Sequence, residues 1–166
     1  AVTKLLPSLT ILSKDIGIKS KKLNNIVKTG RTHLMDAMPI TFGQELSGWK
    51  AQIDDNIVSL KNCLSRLKRL PIGGTAVGTG INAHKLFTKE FLIAINKGNK
   101  VKYIIKKNKF EGLSSQDDAV LYSSHLKSLA VSLIKISNDL RWMNSGPDSG
   151  ISDITLEALQ PGSSIM

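Results

Sequence analysis

Apolar residues recur at helical spacing in several parts of this chain. Leu5, Leu6, Leu9, Leu12 and Ile16 predict one helix face over residues 2–17. Gly17 and the lysines from Lys19 to Lys22 interrupt it, and a short helix is expected to follow as far as Val27. The clearest seam is Leu46, Trp49, Ile53, Ile57, Leu60, Leu64 and Leu67, with steps of three and four residues throughout. It predicts a long bundle helix over about 42–70, near the heptad spacing, with Pro71 ending it. A helix over about 84–96 comes next, then an irregular, lysine-rich link at 97–107. Tyr122, Leu126, Leu129, Leu133, Ile136 and Leu140 predict a second long helix over about 114–143.

Between these seams lie three polar or glycine-rich stretches. Residues 29–41 are expected to form an ordered loop that opens into the first long helix. Pro39 disfavours helix at Met38, while Thr41 can cap a helix starting at Phe42, with Gln44 as its capping-box partner. That places Thr32, His33 and Asp36 at the mouth of a helix, where free backbone N–H groups can meet an anion. The run Gly73-Gly74-Thr75-Ala76-Val77-Gly78-Thr79-Gly80 invites a phosphate-loop reading. No Gly-Lys-Ser/Thr closes it and no strand precedes it, so a tight connector between helices is the better expectation. After Asn144 come a turn cluster at 145–150, a tether at 151–159 and a small-residue loop at 160–164.

Two helices of about 30 residues, each about 45 Å long by rise, imply an all-α fold: an elongated bundle of long antiparallel helices. Residues 1–144 are expected to form a central helical-bundle domain, incomplete on its N-terminal side, and 145–166 a turn, a tether and the start of a mobile loop. The chain opens inside a helical pattern and stops at Gly162-Ser163-Ser164-Ile165-Met166, which reads as a segment of a longer protein. Apolar seams on more than one helix face would be exposed in a monomer, so an oligomer is expected.

Composition narrows the chemistry. The 166 residues are 41% hydrophobic but only 5% aromatic, which suits helix-on-helix packing better than a sandwich or barrel. No apolar run approaches the roughly 20 residues that span a bilayer, so no membrane partner is expected. Cys63 is the sole cysteine, so no internal disulfide or Cys-based metal site can form, and a reducing compartment such as the cytoplasm (or a mitochondrial matrix) fits. Net charge is +10, but the lysines are dispersed. No arginine stripe or aromatic platform accompanies them, so solvated helix faces are a better account than nucleic-acid binding.

His33 is the best general acid or base, since histidine changes charge near neutral pH and here adjoins a hydroxyl. An isolated loop histidine would usually be inert; the Thr-His-x-x-Asp setting before a helix start leaves the two readings level. His84 reads as a loop residue and His125 as a helix-face residue, and no His-x-x-x-His or Glu-x-x-His spacing supports a metal. The residues alone name no reaction.

A resemblance does. Gly30-Arg31-Thr32-His33 through Gly43-Gln44-Glu45 resembles a signature region of class II fumarases. In the same order, Gly73 to Asn82, Asn108 to Glu111, Ser132 to Trp142 with Ser145-Gly146-Pro147, and Leu159 to Met166 resemble the same family, across essentially the whole chain. The last stretch is similar to the start of the Gly-Ser-x-x-Met signature of the fumarase/aspartase superfamily. His33 favours fumarase, since aspartases typically carry Gln there. The resemblance implies reversible hydration of fumarate to (S)-malate, a small dicarboxylate substrate, no cofactor or metal, and a homotetramer whose active sites draw on three subunits. By position, it implies that Ser163 is the general base, that Ser164 and Thr32 bind substrate, and that His33 handles the proton on the water side, leaning on a Glu beyond Met166.

Substrate-binding segments before Ala1 and the signature's Lys and Asn after Met166 would be needed as well, so the segment alone is expected to be inactive. The sequence departs from the family at Asp148, where Arg is usual, and at Ser115-Gln116-Asp117-Asp118, where a His/Arg-Asp-Ala pattern is usual. The alternatives are an aspartate ammonia-lyase of the same superfamily and a non-catalytic helical oligomerisation module. A basic nucleic-acid-binding bundle is the weakest alternative.

Overall fold

A computed structural model describes residues 1–159 and Gly162. In chain order they form α1 (Leu5–Lys22), β1 (Val27–Thr32), β2 (Met35–Thr41), α2 (Phe42–Leu67), β3 (Arg69–Leu70), α3 (Phe87–Asn96), β4 (Ile104–Ile105), α4 (Lys109–Ser114) and α5 (Asp117–Met143).

The frame is the trio α1, α2 and α5, with α2 in the middle. Leu6 and Leu9, then Trp49, Ile53, Ile57 and Leu60, then Leu129, Ile136 and Met143 make one buried cluster. Ile53 and Leu60 have no exposed surface, and burying each is worth about 1.5–3 kcal/mol. Cross-ties give the directions. Ser13 bonds Asp54 and Ser20 bonds the Gly43 carbonyl, so α1 and α2 are antiparallel. Trp49 bonds Asp139, Asn56 bonds Ser132 and Arg66 bonds Asp118, so α2 and α5 are antiparallel as well. The fold is mainly helical, and the two long seams face the core as their spacing predicted. Their helices hold 26 and 27 residues, about 40 Å each by rise.

Gly17 does not interrupt the first helix, which runs unbroken to Lys22. A glycine in a helix interior costs about 1 kcal/mol, but tertiary packing outweighs that here. The Gly17 backbone lies against α2, and a Cβ there would come within 3.1 Å of the Lys50 side chain.

The expected loop at 29–41 is instead a hairpin, with β1 antiparallel to β2. Its period of two is hard to read because the buried positions on β1 are Lys28 and Gly30 rather than large apolar residues. Two residues of β2, Ala37 and Met38, oppose Gly30 in a bulge. A Cβ at Gly30 would sit 2.4 Å from the Met38 carbonyl oxygen, so only glycine lets the strands close.

The first long helix ends at Leu67, not at residue 70, because Arg69–Leu70 pairs in parallel with Ile104–Ile105 across the 97–107 link. Likewise α3 starts at Phe87 rather than 84, and α5 at Asp117 rather than 114. Asn108 caps the separate α4 by accepting from the Glu111 N–H. The glycine-rich stretch is the tight connector expected, although a short strand, β3, does precede it. Gly78 has φ of 114°, and a Cβ there would strike the Phe110 ring at 2.8 Å. Asp118, part of the departing Ser115–Asp118 stretch, accepts from Arg66 at 2.7 Å and from the buried Lys106 at 3.1 Å. The departing residue thus ties α5 to the end of α2 and to Lys106, the residue after β4. Asp148 lies exposed in its turn.

Among the described residues no helix is long and apolar enough to cross a membrane. Cys63 is free and buried, and burial pushes its thiol up, with the Asp118 charge adding to the shift. It behaves as a small packing group rather than a reactive thiol.

Candidate functional site

Thr32 ends β1 and His33 begins the two-residue turn to β2, so the predicted pair sits at a hairpin tip and is exposed. His33 and Leu34 have φ of 52° and 62°. A two-residue hairpin turn with positive φ at both positions matches the right-handed twist of the strands, but it usually recruits Asn or Gly. Non-glycine residues held in this region carry strain of about 1–3 kcal/mol each. Asp36 lies across the hairpin from Arg31. The predicted capping box is present, with Gln44 N–H donating to Thr41 Oγ1 at 3.1 Å and Thr41 N–H to Gln44 Oε1 at 2.9 Å. This box fixes the start of α2, from which the hairpin projects.

Between the hairpin and the C-terminal half of α5 runs a cleft of about 460 Å³, bordered by Lys28, Arg31, His33, Glu45, Lys135 and Asp139. Its electrostatics are internal. Lys28, 5% exposed in its side chain, lies 2.6 Å from Glu45 and 3.1 Å from Asp153, with its Nζ 5.2 Å from the centre of the Phe42 ring. Arg31 donates to both Asp153 oxygens, at 2.7 and 3.3 Å. Burial alone would push the Asp153 carboxyl up, but hydrogen bonds and charge from Arg31 and Lys28 together hold it below the usual carboxylate range. The same partnership raises the Arg31 guanidinium. Lys135 pairs with Asp139 on the opposite wall, and Asp139 also accepts the Trp49 indole N–H at 3.1 Å.

Each cation bordering the cleft therefore has a carboxylate partner among the described residues. The cleft presents the His33 imidazole but not the Thr32 hydroxyl, which does not border it, and it has no surplus positive charge for a dicarboxylate. Among the described residues no group of three or more His, Cys, Asp or Glu side chains could hold a metal ion.

Ser163 and Ser164 lie outside the described residues. His84 accepts from the Leu86 N–H at 3.2 Å in a loop, and His125 is half-buried on α5; neither borders the cleft. The charged group of Lys28, Arg31, Glu45 and Asp153 is missing from the sequence-based candidates. Asp153 is 122 positions from Arg31, and nothing in its local pattern marks it. The one available signal was a lysine on the inward side of a short strand.

A family model described as lyase matches residues 1–166. The chain belongs to the lyase family. Within that family, this lyase chain is 52% identical over 163 residues to a fumarate hydratase class II of Xylella fastidiosa, covering 98% of this chain and 34% of the relative. It is 48% identical over 170 residues to a fumarate hydratase class II of Oceanobacillus iheyensis, covering 100% of this chain and 37% of that one. A crystal structure of class II fumarase from Schistosoma mansoni superposes with a TM-score of 0.90 at 36% identity, over 99% of this chain and 37% of that one. The chain thus spans about a third of the length of the relatives it matches. The helical bundle and the class II fumarase resemblance read from the motifs both agree with these matches.

Proposed function

We propose that this lyase chain is the central segment of a class II fumarate hydratase, which adds water reversibly to fumarate to form (S)-malate. The observation that carries the reading is identity of about half to fumarate hydratases over nearly the whole chain, together with His33 at a hairpin tip beside a cleft.

In the malate-to-fumarate direction, Ser163 removes the proton from the carbon next to one carboxylate, and the electron pair moves into that carboxylate to form an aci-carboxylate. The C–O bond then breaks, and the departing hydroxyl leaves as water with a proton managed by His33. Thr32 and Ser164 hold substrate carboxylate oxygens. Negative charge grows on the aci-carboxylate, so fixed hydrogen-bond donors there lower the barrier most. The cleft's own cations are already paired, so those donors come from other segments of the intact enzyme. No cofactor or metal takes part.

Residues 1–144 act as the bundle unit and 145–166 as the arm that carries the serine pair. The assembled enzyme is a homotetramer. Exposed apolar residues on α5, such as Val120, Val131 and Ile134, support packing against further copies. A free buried thiol suits a cytoplasmic or mitochondrial-matrix enzyme.

The test is an absorbance assay with fumarate and malate on the intact enzyme, its His33→Asn and Ser163→Ala variants, and the 166-residue chain alone. The expected outcome is turnover by the parent, a loss of at least about a thousandfold in Ser163→Ala, and none by the isolated segment. An inert parent that releases ammonia from aspartate would replace this reading with an ammonia-lyase.

A further inference from the structure

The hairpin carrying Thr32 and His33 has little of its own to hold it still. It has two strands, a bulge and a turn with two non-glycine residues at positive φ, and a lone two-stranded ribbon is marginal in water. Its base is anchored. The Phe42 N–H donates to the Ile26 carbonyl at 3.0 Å, and Lys28 meets Glu45 of α2. Nearer the tip, Arg31 makes the only side-chain hydrogen bonds from residues 29–38, among the described residues. It immediately precedes Thr32 and grips Asp153 with both arms of its fork.

Asp153 is itself held in place. The Ser152 N–H donates to the Ser145 carbonyl at 2.7 Å, and the Ile154 N–H to the Met143 carbonyl at 3.1 Å, so both neighbours of Asp153 are bonded back onto the end of α5. The Arg31 and Asp153 side chains are 21% and 13% exposed, which limits screening by solvent and salt. A bidentate guanidinium–carboxylate contact sets direction as well as distance. The tip that carries the proposed reacting groups is therefore referenced to the end of α5 through Asp153, which Arg31 grips next to the tip and Lys28 meets at 3.1 Å nearer the base.

We infer that Asp153 is a positioning residue for the hydration site: acting through Arg31, it sets the pose of the Thr32–His33 tip against the C-terminal end of α5. The inference rests on the fumarate hydratase reading proposed above. Asp153 touches no reacting atom. A purely structural carboxylate would, when neutralised, lower the melting temperature and leave the turnover of the folded enzyme unchanged. A positioning carboxylate acts on the chemical step, because a displacement of about 1 Å at a reacting group costs roughly a hundredfold in rate.

The experiment compares the intact enzyme with Asp153→Asn, Asp153→Glu and Arg31→Lys, well below each melting temperature. It reads kcat, KM, the pH profile of kcat and amide hydrogen exchange across residues 29–41. In Asp153→Asn, kcat is expected to fall roughly ten- to a hundredfold with KM nearly unchanged, the pH profile to shift, and exchange in the hairpin to quicken. Asp153→Glu should recover most of the loss, whereas Arg31→Lys, which keeps the charge but loses the fork, should not. A lower melting temperature with kcat and exchange both unchanged overturns the inference. If the parent turns over neither fumarate nor malate, the functional reading fails, and exchange alone decides whether Asp153 holds the tip. Faster hairpin exchange then sustains that role, and unchanged exchange overturns it.

Discussion

The indole N–H of Trp49 donates to Asp139 Oδ2 at 3.1 Å, joining α2 to α5 where the core cluster meets the cleft. Trp49 is 4% exposed, so its N–H would be costly to bury without that acceptor. The same carboxylate pairs with Lys135, whose Nζ lies 5.9 Å from the centre of the Trp49 ring. Trp49→Phe is expected to destabilise the protein by about 1–3 kcal/mol, from the lost hydrogen bond and the smaller ring. In a cycle with Asp139→Ala, residues in direct contact should show a coupling of about 0.5–1.5 kcal/mol. Urea unfolding of the four proteins checks this, and strictly additive effects would show that the hydrogen bond contributes nothing.

Acid sensitivity should trace to Asp118. Burial pushes its carboxyl up, but hydrogen bonds from Lys106 and Arg66, and their charges, lower it overall. A carboxylate whose pKa is depressed by folding contributes stability that is fully present above its unfolded pKa of about 3.9 and is lost as pH falls through the folded value. Asp118→Asn should therefore be less stable than the parent at neutral pH, with the gap closing under strongly acid conditions. Unfolding midpoints measured from pH 7 down to pH 3 decide it. A gap that is as wide at the acid end as at neutral pH would mean that the ion pairs to Asp118 are not its source.

The turn at His33-Leu34 supplies a substitution that breaks the usual rule for apolar residues. Leu34 is 64% exposed and holds φ of 62°. A left-handed conformation costs an L-residue about 1–2 kcal/mol, while glycine adopts it freely at some cost in unfolded-state entropy. Leu34→Gly should leave stability unchanged or raise it by up to about 1 kcal/mol. A melting temperature that drops by several degrees would instead show that the exposed side chain packs against something in the assembled protein.

One feature near the site is legible in the residue pattern alone. Thr41 and Gln44 form the capping box that their three-residue spacing implies, since capping is settled within one turn of chain. Thr32 and His33 do not lie at the mouth of that helix: they sit at the hairpin tip, while the start of α2 follows the hairpin base, where Val27 pairs with Thr41, a full strand away. The hairpin is not legible in the same way, because its inward positions are Lys28 and Gly30, residues that strand patterns do not favour. They can face inward because Glu45 and Asp153 neutralise the lysine, and because Gly30 lets the Met38 carbonyl approach.

Sequence by itself determined the two long helices, their seams, the glycine connector, the Thr41–Gln44 cap and the family resemblance. These depend on residues a few positions apart, whose periodicity and backbone preferences act locally. Only the tertiary structure decided that Gly17 lies inside one continuous helix, that Arg69–Leu70 leaves α2 to pair with Ile104–Ile105, and that Asp153 meets Arg31 and Lys28. Each of these depends on partners brought together from elsewhere in the chain. Their contact free energy outweighs local preference, and spacing along the sequence does not encode which distant group will be there.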